Sequence, residues 1–382
     1  MRIGIDLLWL RPGREGGIGT HVRGLLNGLA QFDADNDYVL FTTSEVAERL
    51  SELPGNFRCR IICRSVRHGI NGQLLQQVYI PRYVRGDRID VLHSPANTTS
   101  LAAGCPRVVT IHDLTLSSLS RYASSVRERV SALKARLLSS LVNSSARSAD
   151  AVITDSEFSR TTIIDRLSIP AERIRVIYSA LNIAQTSAPG PWRPIAERLG
   201  IVMDYIIAFS NQFLHKNIEA LIKAFARLQA SRPLQLVVVG HLPNDGGRLQ
   251  RTIGQLRLGG NVVLTGYLDD GDLGAVLSRA KMLAFPSLSE GFGLPVLEAM
   301  AADVPVACSN ATALPEVAGN AAIYFDPRSV EDMAATLQRL ADDEALRRKL
   351  ILAGHQNVKR FSWENAARET VNVYRSVSTA RA

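Results

Sequence analysis

The sequence predicts an α/β protein built from two doubly wound parallel sheets with helices on both faces. Short β-branched runs alternate with helical patterns in the first half of the 382-residue chain, and the alternation restarts after a proline-rich stretch, Gln185–Pro194. The run Leu236–Val239 is apolar at every position, as strands buried on both faces of a parallel sheet are. Such alternation is typical of strand–helix–strand units, and a length of about 150 residues per domain gives two or three domains.

Seven strands are expected in the first domain, residues 1–183, with helical patterns between them. In the first such pattern, Thr20–Gln31, the apolar residues Val22, Leu25 and Leu29 recur at helical spacing. The predicted strands are Arg2–Leu8, Tyr38–Thr42, Phe57–Cys63, Val91–His93, Val108–His112, Ala151–Thr154 and Arg175–Tyr178.

Six further strands are expected in the second domain, residues 184–360. They are Tyr205–Phe209, Leu234–Val239, Asn261–Leu264, Met282–Phe285, Val304–Cys308 and Ile323–Phe325. In the terminal segment, 361–382, Ser362 suits the N-cap of a helix over Trp363–Val377, which we expect to pack back on the first domain. Doubly wound sheets bind ligands outside the carboxyl ends of their strands, so we expect the two domains to face each other across a cleft.

Composition excludes several classes of protein for the chain as a whole. Apolar residues make up 46% and charged residues 21%, unlike disordered, collagen-like or coiled-coil chains. No uncharged apolar run reaches the roughly 18 residues of a membrane-spanning helix, and Asp6 comes too early for the apolar stretch of a signal peptide. The four cysteines lack a second Cys/His pair at ligand spacing. We therefore expect free thiols, a reducing compartment and a cytoplasmic location.

The strongest functional signal is the segment Ser289–Met300, directly after a predicted strand. Gly291 and Gly293 let backbone N–H groups come close to a ligand, and a helix starting near Gly293 offers N–H groups to an anion or to sugar hydroxyls. Glu290 and Glu298 can accept hydrogen bonds from hydroxyls at two separated places on one ligand. The alternative is a glycine turn whose first acid favours the helix dipole and whose second glutamate is solvated.

The segment Glu-Gly-Phe-Gly-Leu-Pro-Val-Leu-Glu-Ala-Met-Ala, which begins at Glu290, resembles the paired-glutamate motif of the family 4 retaining glycosyltransferases. The resemblance continues through Leu314–Ala318 and covers essentially the whole chain. It implies the GT-B architecture, with two Rossmann-like domains. It also implies transfer of a hexose from a nucleotide-diphosphate sugar to a saccharide or lipid-linked saccharide acceptor in the assembly of surface polysaccharide or lipopolysaccharide.

The resemblance also implies a donor and the roles of the motif residues. The motifs are most similar to those of bacterial mannosyltransferases that use GDP-mannose, so mannose or a related deoxyhexose is favoured, and a UDP-hexose donor stays open. Glu290 would contact ring hydroxyls of the donor sugar, and Glu298 the ribose hydroxyls. The residues implied to hold the sugar and diphosphate, chiefly through backbone N–H groups, are Gly291, Phe292, Gly293 and Leu294.

A glycine-rich segment, Gly13–His21, lies between the first strand and the first helix. A glycine loop that opens a helix suits the approach of phosphate, although Val22 stands where a dinucleotide-binding fingerprint needs its third glycine. In the resembling family this loop flanks the donor phosphates and closes over the sugar. Gly17 and Gly19 are therefore candidate donor-binding residues.

Two histidines stand at the ends of predicted strands. The segment around His112 and Asp113 resembles the family's strand-end active-site histidine, near the anomeric centre of the donor, whereas on position alone a single histidine is more often structural. His93 ends the preceding strand and Asn97 follows it. For this second pair, contact with the acceptor and packing are both open.

The segment Ser210–Asn217 follows the first strand of the second domain and carries Lys216. A lysine at this edge can bind diphosphate as a point cation. Relatives in the family often have Arg where this chain has Ser210 and His215. The usual basic pair is thus reduced to Lys216, aided by His215, and how the leaving diphosphate is neutralised is open.

The segment Thr265–Asp270 follows another strand of the second domain. The family contacts the nucleobase through backbone here, which makes Leu268 a candidate. The carboxylates of Asp269 and Asp270 could accept hydrogen bonds from guanine, or they could serve as the N-cap and first-turn acid of a helix.

Retaining transfer must stabilise positive charge on the sugar and negative charge on the leaving diphosphate. Double displacement needs a carboxylate nucleophile beside an acid partner, and none stands near His112 in the sequence. We therefore expect front-face transfer, in which the leaving phosphate helps to take the acceptor's proton. The expected catalytic residues are His112, Glu290 and Lys216. No Asp-x-Asp pair occurs in a suitable loop, so neither a metal nor a cofactor is expected.

The net charge of +8 is concentrated in the first domain, where seven Arg face one Asp between Arg58 and Arg88. A second basic set accompanies a helix predicted over Ser125–Ser145, and a basic amphipathic helix is typical of membrane-surface binding. We therefore expect peripheral contact with an anionic membrane, the cytoplasmic face of the inner membrane. The alternative is that the apolar residues of this helix face the core and its Arg residues are merely solvated. The second set is Arg121, Arg127, Arg129, Lys134 and Arg136.

Proteins of other classes fit the sequence less well. Nucleic acid is disfavoured as a partner, because aromatic residues make up only 6% and the Arg clusters lack interleaved stacking residues. An NAD-type oxidoreductase is weakened by Val22, although Glu45 could mimic its ribose-binding acid. A non-catalytic nucleotide-sugar-binding protein is disfavoured by the retained site residues.

Overall fold

The computed structural model describes residues 1–11, 16–66, 71–114, 126–181, 190–211, 213–228, 233–242 and 247–380. The chain forms two compact units, each with its own sheet. One unit is Met1–Ala180 together with Ser362–Ala382, and the other is Leu181–Phe361. The first unit is therefore discontinuous in sequence.

Parallel strands form the sheet of the first unit. Those described are β1 (Arg2–Asp6), β2 (Asp37–Thr43), β3 (Phe57–Cys63), β4 (Val91–Ser94), β5 (Arg107–Thr110), β6 (Ala151–Thr154) and β7 (Ile174–Val176). Their order is β3-β2-β1-β4-β5-β6-β7. The order reverses between β1 and β4, and ligands bind at such a reversal in sheets of this kind.

Helices cover this sheet, and the terminal helix, Trp363–Thr379, completes its core. Ser362 is its N-cap, because the Ser362 hydroxyl accepts a hydrogen bond from the Asn365 N–H at 3.1 Å. Tyr374 and Val377 of the terminal helix lie in one core cluster with β1. The other helices described in this unit are α1 (Gly16–Phe32), α2 (Ser44–Ala47), α3 (Asn71–Gly86), α4 (Val126–Ser148) and α5 (Glu157–Leu167).

The sheet of the second unit is also parallel. Its described strands are β8 (Tyr205–Ser210), β9 (Gln235–Gly240), β10 (Val262–Gly266), β11 (Met282–Phe285), β12 (Val306–Ser309) and β13 (Ala322–Phe325). Their order is β10-β9-β8-β11-β12-β13, with the reversal between β8 and β11.

The second unit buries its sheet beneath helices whose apolar faces form one core with the strands. Those described are α6 (Trp192–Leu199), α7 (Ile218–Leu228), α8 (Arg248–Gln255), α9 (Asp270–Leu277), α10 (Leu294–Ala301), α11 (Leu314–Ala318), α12 (Val330–Asp342) and α13 (Glu344–Val358).

The predicted strands are confirmed, with ends displaced by a few residues. Two local predictions were wrong. The first helix begins at Gly16 and not at Thr20, because the N–H groups of a first helical turn need no partner within the helix and glycine is tolerated there. Pro194 lies in the first turn of α6 and not in a linker, since proline is accepted at that point of a helix. Residues 185–189 of the predicted linker lie outside the described residues.

Gly240, at the end of β9, is the residue where a side chain would do most damage to the carboxyl edge of the second sheet. Its φ is +109°, and a Cβ there would lie 2.2 Å from the backbone oxygen of Ser210. We expect Gly240→Ala to lower the free energy of unfolding by about 1–3 kcal/mol from backbone strain, with the clash added.

Urea unfolding of the full chain measures this loss, and Gly254→Ala is its matched control. Gly254 lies in α8 with open space where a Cβ would stand, so its replacement is expected to be neutral or stabilising by up to about 1 kcal/mol. Equal unfolding midpoints for the Gly240→Ala variant and the wild type would contradict the prediction.

Candidate active site

The reversal of strand order in the second sheet brings together the segments that follow β8 and β11. Lys216 ends a 3-10 turn, Leu214–Lys216, after β8, and Glu290 lies in the loop between β11 and α10. The Lys216 Nζ lies 2.6 Å from Glu290 Oε1. Two residues separated by 74 positions in the sequence therefore form one ion pair at the edge where such sheets bind ligands.

Backbone hydrogen bonds hold these two segments in register. The next residue, Asn217, has a left-handed φ of 58°, which Asn tolerates better than most residues. Its side-chain amide donates to the Pro286 oxygen at 3.1 Å and to the Pro327 oxygen at 2.7 Å. The Leu288 N–H donates to the His215 oxygen at 2.8 Å. The loop that carries Lys216 is thus fixed to the exit of β11.

The Lys216–Glu290 pair is largely shielded from water. The two side chains are 12% and 14% exposed, and the Lys216 Nζ also lies 4.9 Å from the centre of the Phe285 ring. A lysine ammonium over an aromatic face gains cation–π attraction. The two residues predicted to contact the donor therefore neutralise each other's charge.

The helix α10 starts as the motif predicts. Gly293 is its N-cap with a φ of +109°, and Pro295 lies in its first turn. A Cβ on Gly293 would lie 2.7 Å from Leu314 Cδ2. The Phe292 ring is buried and packs edge-on against Phe361, with ring centres 5.5 Å apart. Phe292 and the buried Leu294 therefore present backbone, and not side chain, at this helix N-terminus.

Glu298 lies inside α10 and is half-buried. Burial, and to a smaller extent the nearby Asp270 carboxylate, raise its pKa to about 7 against the opposing effect of the Lys216 ammonium. The predicted pair Glu290 and Glu298 thus share one neighbour, Lys216, but differ in environment: Glu290 is ion-paired, whereas Glu298 takes up a proton near neutral pH.

The other predicted residues of this unit lie at the same edge of the sheet. Ser210 ends β8, and the His215 ring stacks on Phe213 with centres 5.8 Å apart. Leu268 is buried. Asp269 is the N-cap of α9, because its side chain accepts from the Asp272 N–H at 2.9 Å, so of the two alternatives for Asp269 the structural one is confirmed.

The sequence did not reveal an aromatic pair at this edge. The Tyr267 side chain is 63% exposed, and its ring stacks on His241 with centres 5.9 Å apart. The two rings follow the ends of β10 and β9, respectively. The sequence signal for this pair was the aromatic residue, Tyr267, directly before the candidate nucleobase contact Leu268.

In the first unit, His112 lies two residues beyond β5 and is buried. Its Nδ1 lies 2.6 Å from Asp155 Oδ2, and its Nε2 lies 3.0 Å from the Pro95 oxygen. Burial lowers the pKa of His112, but the charge and hydrogen bond of Asp155 more than reverse this, so the pKa lies above its ordinary value. The Asp155 carboxyl is also buried, and His112 brings its pKa below the usual range.

His93 packs in the core, so of the two roles left open for it, acceptor contact and packing, the structure shows packing. It is fully buried, with Nδ1 at 2.7 Å from the Tyr374 hydroxyl and Nε2 at 2.8 Å from the Thr110 hydroxyl. Burial lowers the His93 pKa to about 3. Asn97 has a left-handed φ of 60°, and its side-chain oxygen accepts from the His112 N–H at 2.8 Å. Asn97 therefore orients the loop of His112.

Gly17 and Gly19 are part of α1, where an open loop was predicted. Gly17 is exposed and Gly19 is buried. The first N–H groups of α1 have no acceptor within the helix. An anion at this segment would therefore be bound by the N-terminus of a helix, and not by an open loop as predicted. Residues 12–15 of the glycine-rich segment lie outside the described residues.

Three buried titratable residues near the carboxyl edge of the first sheet were missed by sequence reasoning. His21 in α1 lies with its Nδ1 2.7 Å from the Ser179 hydroxyl, and burial lowers its pKa to about 4. Asp155 directly follows β6, and Asp6 ends β1 with a pKa raised by burial to about 6. The available signal for Asp155 was its position directly after the predicted strand Ala151–Thr154, whereas Asp6 falls inside the predicted strand Arg2–Leu8 and had no such signal.

Comparison with known proteins gives the family. Residues 15–185 match the family model described as Glycosyltransferase Family 4, and residues 194–357 match the model described as Glycosyl transferases group 1. The O-antigen chain mannosyltransferase B of Escherichia coli is 32% identical over 277 residues, which cover 70% of this chain and 70% of that protein. The chain belongs to glycosyltransferase family 4. As a family 4 member it is a glycosyltransferase, which confirms the resemblance read from its motifs.

A further relative is also a mannosyltransferase, and solved structures share the fold of this chain. The MMP alpha-(1->4)-mannosyltransferase of Mycolicibacterium hassiacum is 33% identical over 60% of this chain and 54% of its own. HepE of Anabaena, solved with UDP-glucose, has a TM-score of 0.73 at 18% identity, over 98% of this chain and 100% of its own. The lipopolysaccharide glycosyltransferase WaaG has a TM-score of 0.71 at 13% identity, over 98% and 99%. The two parallel Rossmann-like sheets are those of the GT-B fold.

Proposed function

We propose that the chain is a retaining, metal-independent hexosyltransferase that moves mannose, or a related deoxyhexose, from a nucleotide-diphosphate sugar to a saccharide or lipid-linked saccharide acceptor. The product belongs to surface polysaccharide or lipopolysaccharide. The observation that carries the proposal is the convergence of Lys216, Glu290 and Glu298 at the N-terminus of α10. The mannosyltransferase relatives support mannose as the sugar, and the resemblance of the motifs favours GDP as the nucleotide.

The second unit would hold the donor by charge and hydrogen bonding. The N-terminus of α10 carries a partial positive charge, and Lys216 adds a full one beside it. On binding, the diphosphate would take the place of Glu290 as the partner of Lys216, which frees the Glu290 carboxylate to accept from sugar hydroxyls. Glu298 would accept from the ribose, and the nucleobase would lie along the backbone of Leu268 beside Tyr267.

Bond cleavage needs stabilisation of the charge that develops on the leaving diphosphate. Lys216 and the α10 amides are fixed in place before the reaction, so they stabilise this charge without reorganisation. The leaving phosphate would take the acceptor's proton on the same face of the sugar, so the configuration at the anomeric carbon is retained. His112 is the proposed catalytic residue of the first unit.

An assay with a panel of donors tests the proposal. The purified protein is incubated with GDP-mannose, UDP-glucose or UDP-galactose and a lipid-linked saccharide, with EDTA present, and NMR reads the anomeric configuration of the product. We expect transfer from the GDP-sugar with retention, at a rate that EDTA leaves unchanged. An inverted product, or a rate that requires added metal, would overturn the mechanism.

Nucleotide binding is tested separately by thermal stabilisation with GDP, UDP, dTDP and ADP. A nucleotide at 100 times its dissociation constant stabilises the folded state by about 2.7 kcal/mol, which separates the correct base from the others. We expect GDP to stabilise most. A larger stabilisation by UDP would reassign the donor and leave the glycosyltransferase activity intact.

The surface of the first unit supports peripheral contact with an anionic membrane. Leu74 and Val78 on α3 are 56% and 65% exposed, and Arg82 and Arg85 continue the same face of the helix at exposed positions. Leu137 on α4 is also exposed, at 55%, so it does not pack in the core. Apolar residues bordered by arginine suit the boundary between lipid headgroups and acyl chains.

The helix α4 begins one residue after the predicted start. Arg121 lies outside the described residues, and so do the side chains of Arg127, Arg129 and Lys134. Within the described ranges, no helix is long and apolar enough to cross a bilayer.

The double variant Leu74→Ser/Val78→Ser tests this surface. We expect wild-type protein to sediment with phosphatidylglycerol vesicles, less so as salt rises, and the variant to bind at least about tenfold more weakly, because two exposed apolar side chains no longer enter the lipid. Val202→Ser, which removes an apolar residue 76% exposed in the second unit, is the matched control. Equal binding by the variant and the wild type would contradict the assignment.

A further inference from the structure

A buried cluster of three titratable residues lies at the carboxyl edge of the first sheet. His112 follows β5, Asp155 follows β6, and His21 belongs to α1. The His112 and His21 rings pack edge to face with centres 4.7 Å apart, and His21 Nδ1 lies 3.8 Å from Asp155 Oδ1. The cluster therefore joins three elements that are far apart in the sequence.

Hydrogen-bond accounting fixes the protons on His112. Its Nδ1 meets Asp155 Oδ2 at 2.6 Å, and its Nε2 meets the carbonyl oxygen of Pro95 at 3.0 Å. A carbonyl oxygen only accepts, so Nε2 must carry a hydrogen. An ionised carboxylate only accepts as well, so Nδ1 must carry the second. A carboxyl group is the stronger acid by about two to three pKa units, so the proton between Asp155 and His112 belongs to the ring.

We propose that Asp155 is a positioning residue that holds His112 as a doubly protonated imidazolium, so that His112 serves as a fixed positive charge and not as a general base. This inference deepens the proposed function and rests on His112 serving the transfer reaction. With both ring nitrogens protonated, His112 has no lone pair to take the acceptor's proton. Another group must therefore accept the proton of the acceptor hydroxyl, and in the proposed mechanism that group is the leaving phosphate.

The other titratable groups around the cluster do not oppose a positive charge on His112. Burial keeps His21 and His93 neutral at pH 7, because it lowers their pKa values to about 4 and about 3. The Asp113 carboxylate adds a smaller favourable interaction with His112. The second oxygen of Asp155, Oδ1, has no hydrogen-bond partner among the described residues. Among the described residues, the Asp155 side chain therefore hydrogen-bonds only to the His112 ring.

The same three residues also have the composition of a metal site. The distance between His112 and Asp155, however, favours a shared hydrogen bond over a bound metal ion. Zinc holds nitrogen and oxygen ligands at about 2.0–2.2 Å in a tetrahedral arrangement, which sets neighbouring ligand atoms about 3.3 Å apart. The distance of 2.6 Å between His112 Nδ1 and Asp155 Oδ2 is that of a charge-assisted hydrogen bond.

Nitrogen-15 NMR of histidine-labelled protein tests the protonation state without any assay of activity. The His112 ring is identified by its absence in His112→Gln. In wild-type protein at pH 7.5 we expect both nitrogens of this ring to be protonated, although the ordinary His pKa is about 6.5. In Asp155→Asn the amide can donate to Nδ1, so we expect a neutral ring that keeps its proton on Nε2. A neutral His112 in wild-type protein would overturn the proposal, and so would one equivalent of bound metal by mass spectrometry.

Kinetics tests the consequence for catalysis. We expect Asp155→Asn to lower kcat about 100-fold, the loss that a misplaced catalytic group produces, with the donor KM unchanged within about twofold. Asp150→Asn is the matched control, since Asp150 lies in the same unit and accepts from the Arg107 N–H at 2.8 Å; it should leave kcat and the His112 signals unaltered.

The pH profile separates a permanently charged His112 from a general base. At saturating sugar donor, wild-type kcat should not fall between pH 8 and pH 6, whereas a general base would lose up to tenfold per pH unit below its pKa. A kcat that falls with protonation of His112 would overturn the inference. Protein that shows the imidazolium but neither binds nor transfers sugar would overturn the proposed function and leave the protonation state standing.

Discussion

Replacing Lys216 by alanine is expected to lower the rate of sugar transfer about 100- to 1,000-fold, the loss that follows removal of one fixed group that stabilises developing negative charge. The resemblance to the family places Ser210 and His215 where relatives often carry Arg, so Lys216 is the main cation that we propose for the diphosphate. The variant also leaves Glu290, which is 14% exposed, without its cation. An uncompensated carboxylate would repel the phosphates as well.

Lys223→Ala is the matched control for this variant. Lys223 lies one helix further on, in α7, and pairs with Glu219 at an exposed position, where such pairs contribute little. Turnover and nucleotide affinity are measured for both variants under saturating donor. Near-full turnover of Lys216→Ala would remove Lys216 from the mechanism, whatever the behaviour of the control.

Donor affinity is expected to rise with pH through about 7, because Glu298 must be ionised to accept two ribose hydroxyls. Burial, and then Asp270, raise the Glu298 pKa to about 7. Below that pH the protonated form predominates in the free protein, so binding must first remove a proton. The dissociation constant should therefore increase by up to tenfold for each pH unit below 7 and level off above it.

Glu298→Gln separates this effect from other titrations. An amide keeps the shape of the side chain but cannot ionise, so we expect affinity for the nucleotide to fall about 10- to 100-fold at pH 8, the contribution of hydrogen bonds to a charged group. The dependence on pH should disappear with it. Glu344→Gln, an exposed glutamate on α13 that pairs with Arg348, is the control. A pH dependence that survives in Glu298→Gln would assign it to another group.

The strands and the second-unit site were predictable because their signals are local. Leu236–Val239 is apolar at every position, and β9 occupies it. Gly293 and Pro295 start α10 as their backbone preferences require. The spacing of Glu290 and Glu298 places one acid before the helix and the other inside it, so the motif alone was sufficient to nominate both.

The side-chain hydrogen bonds of the first unit could not be predicted, because they join segments that are far apart in the sequence. Nothing in the sequence near His112 indicates that Asp155, 43 positions away, completes its hydrogen bonding; only the order of β5 and β6 in the sheet does that. His93 illustrates the reverse case. Its position at a strand end suggested a ligand contact, but the terminal helix covers it with Tyr374.

The discontinuity of the first unit has a consequence for synthesis on the ribosome. The second unit is one continuous stretch, Leu181–Phe361, and all of it has been made before the terminal helix emerges. The core of the first unit includes Val371, Tyr374 and Val377, which are translated after the whole of the second unit. In the usual order the N-terminal domain folds first as the chain grows, but the core of this first unit can be completed only after the whole second unit has been made.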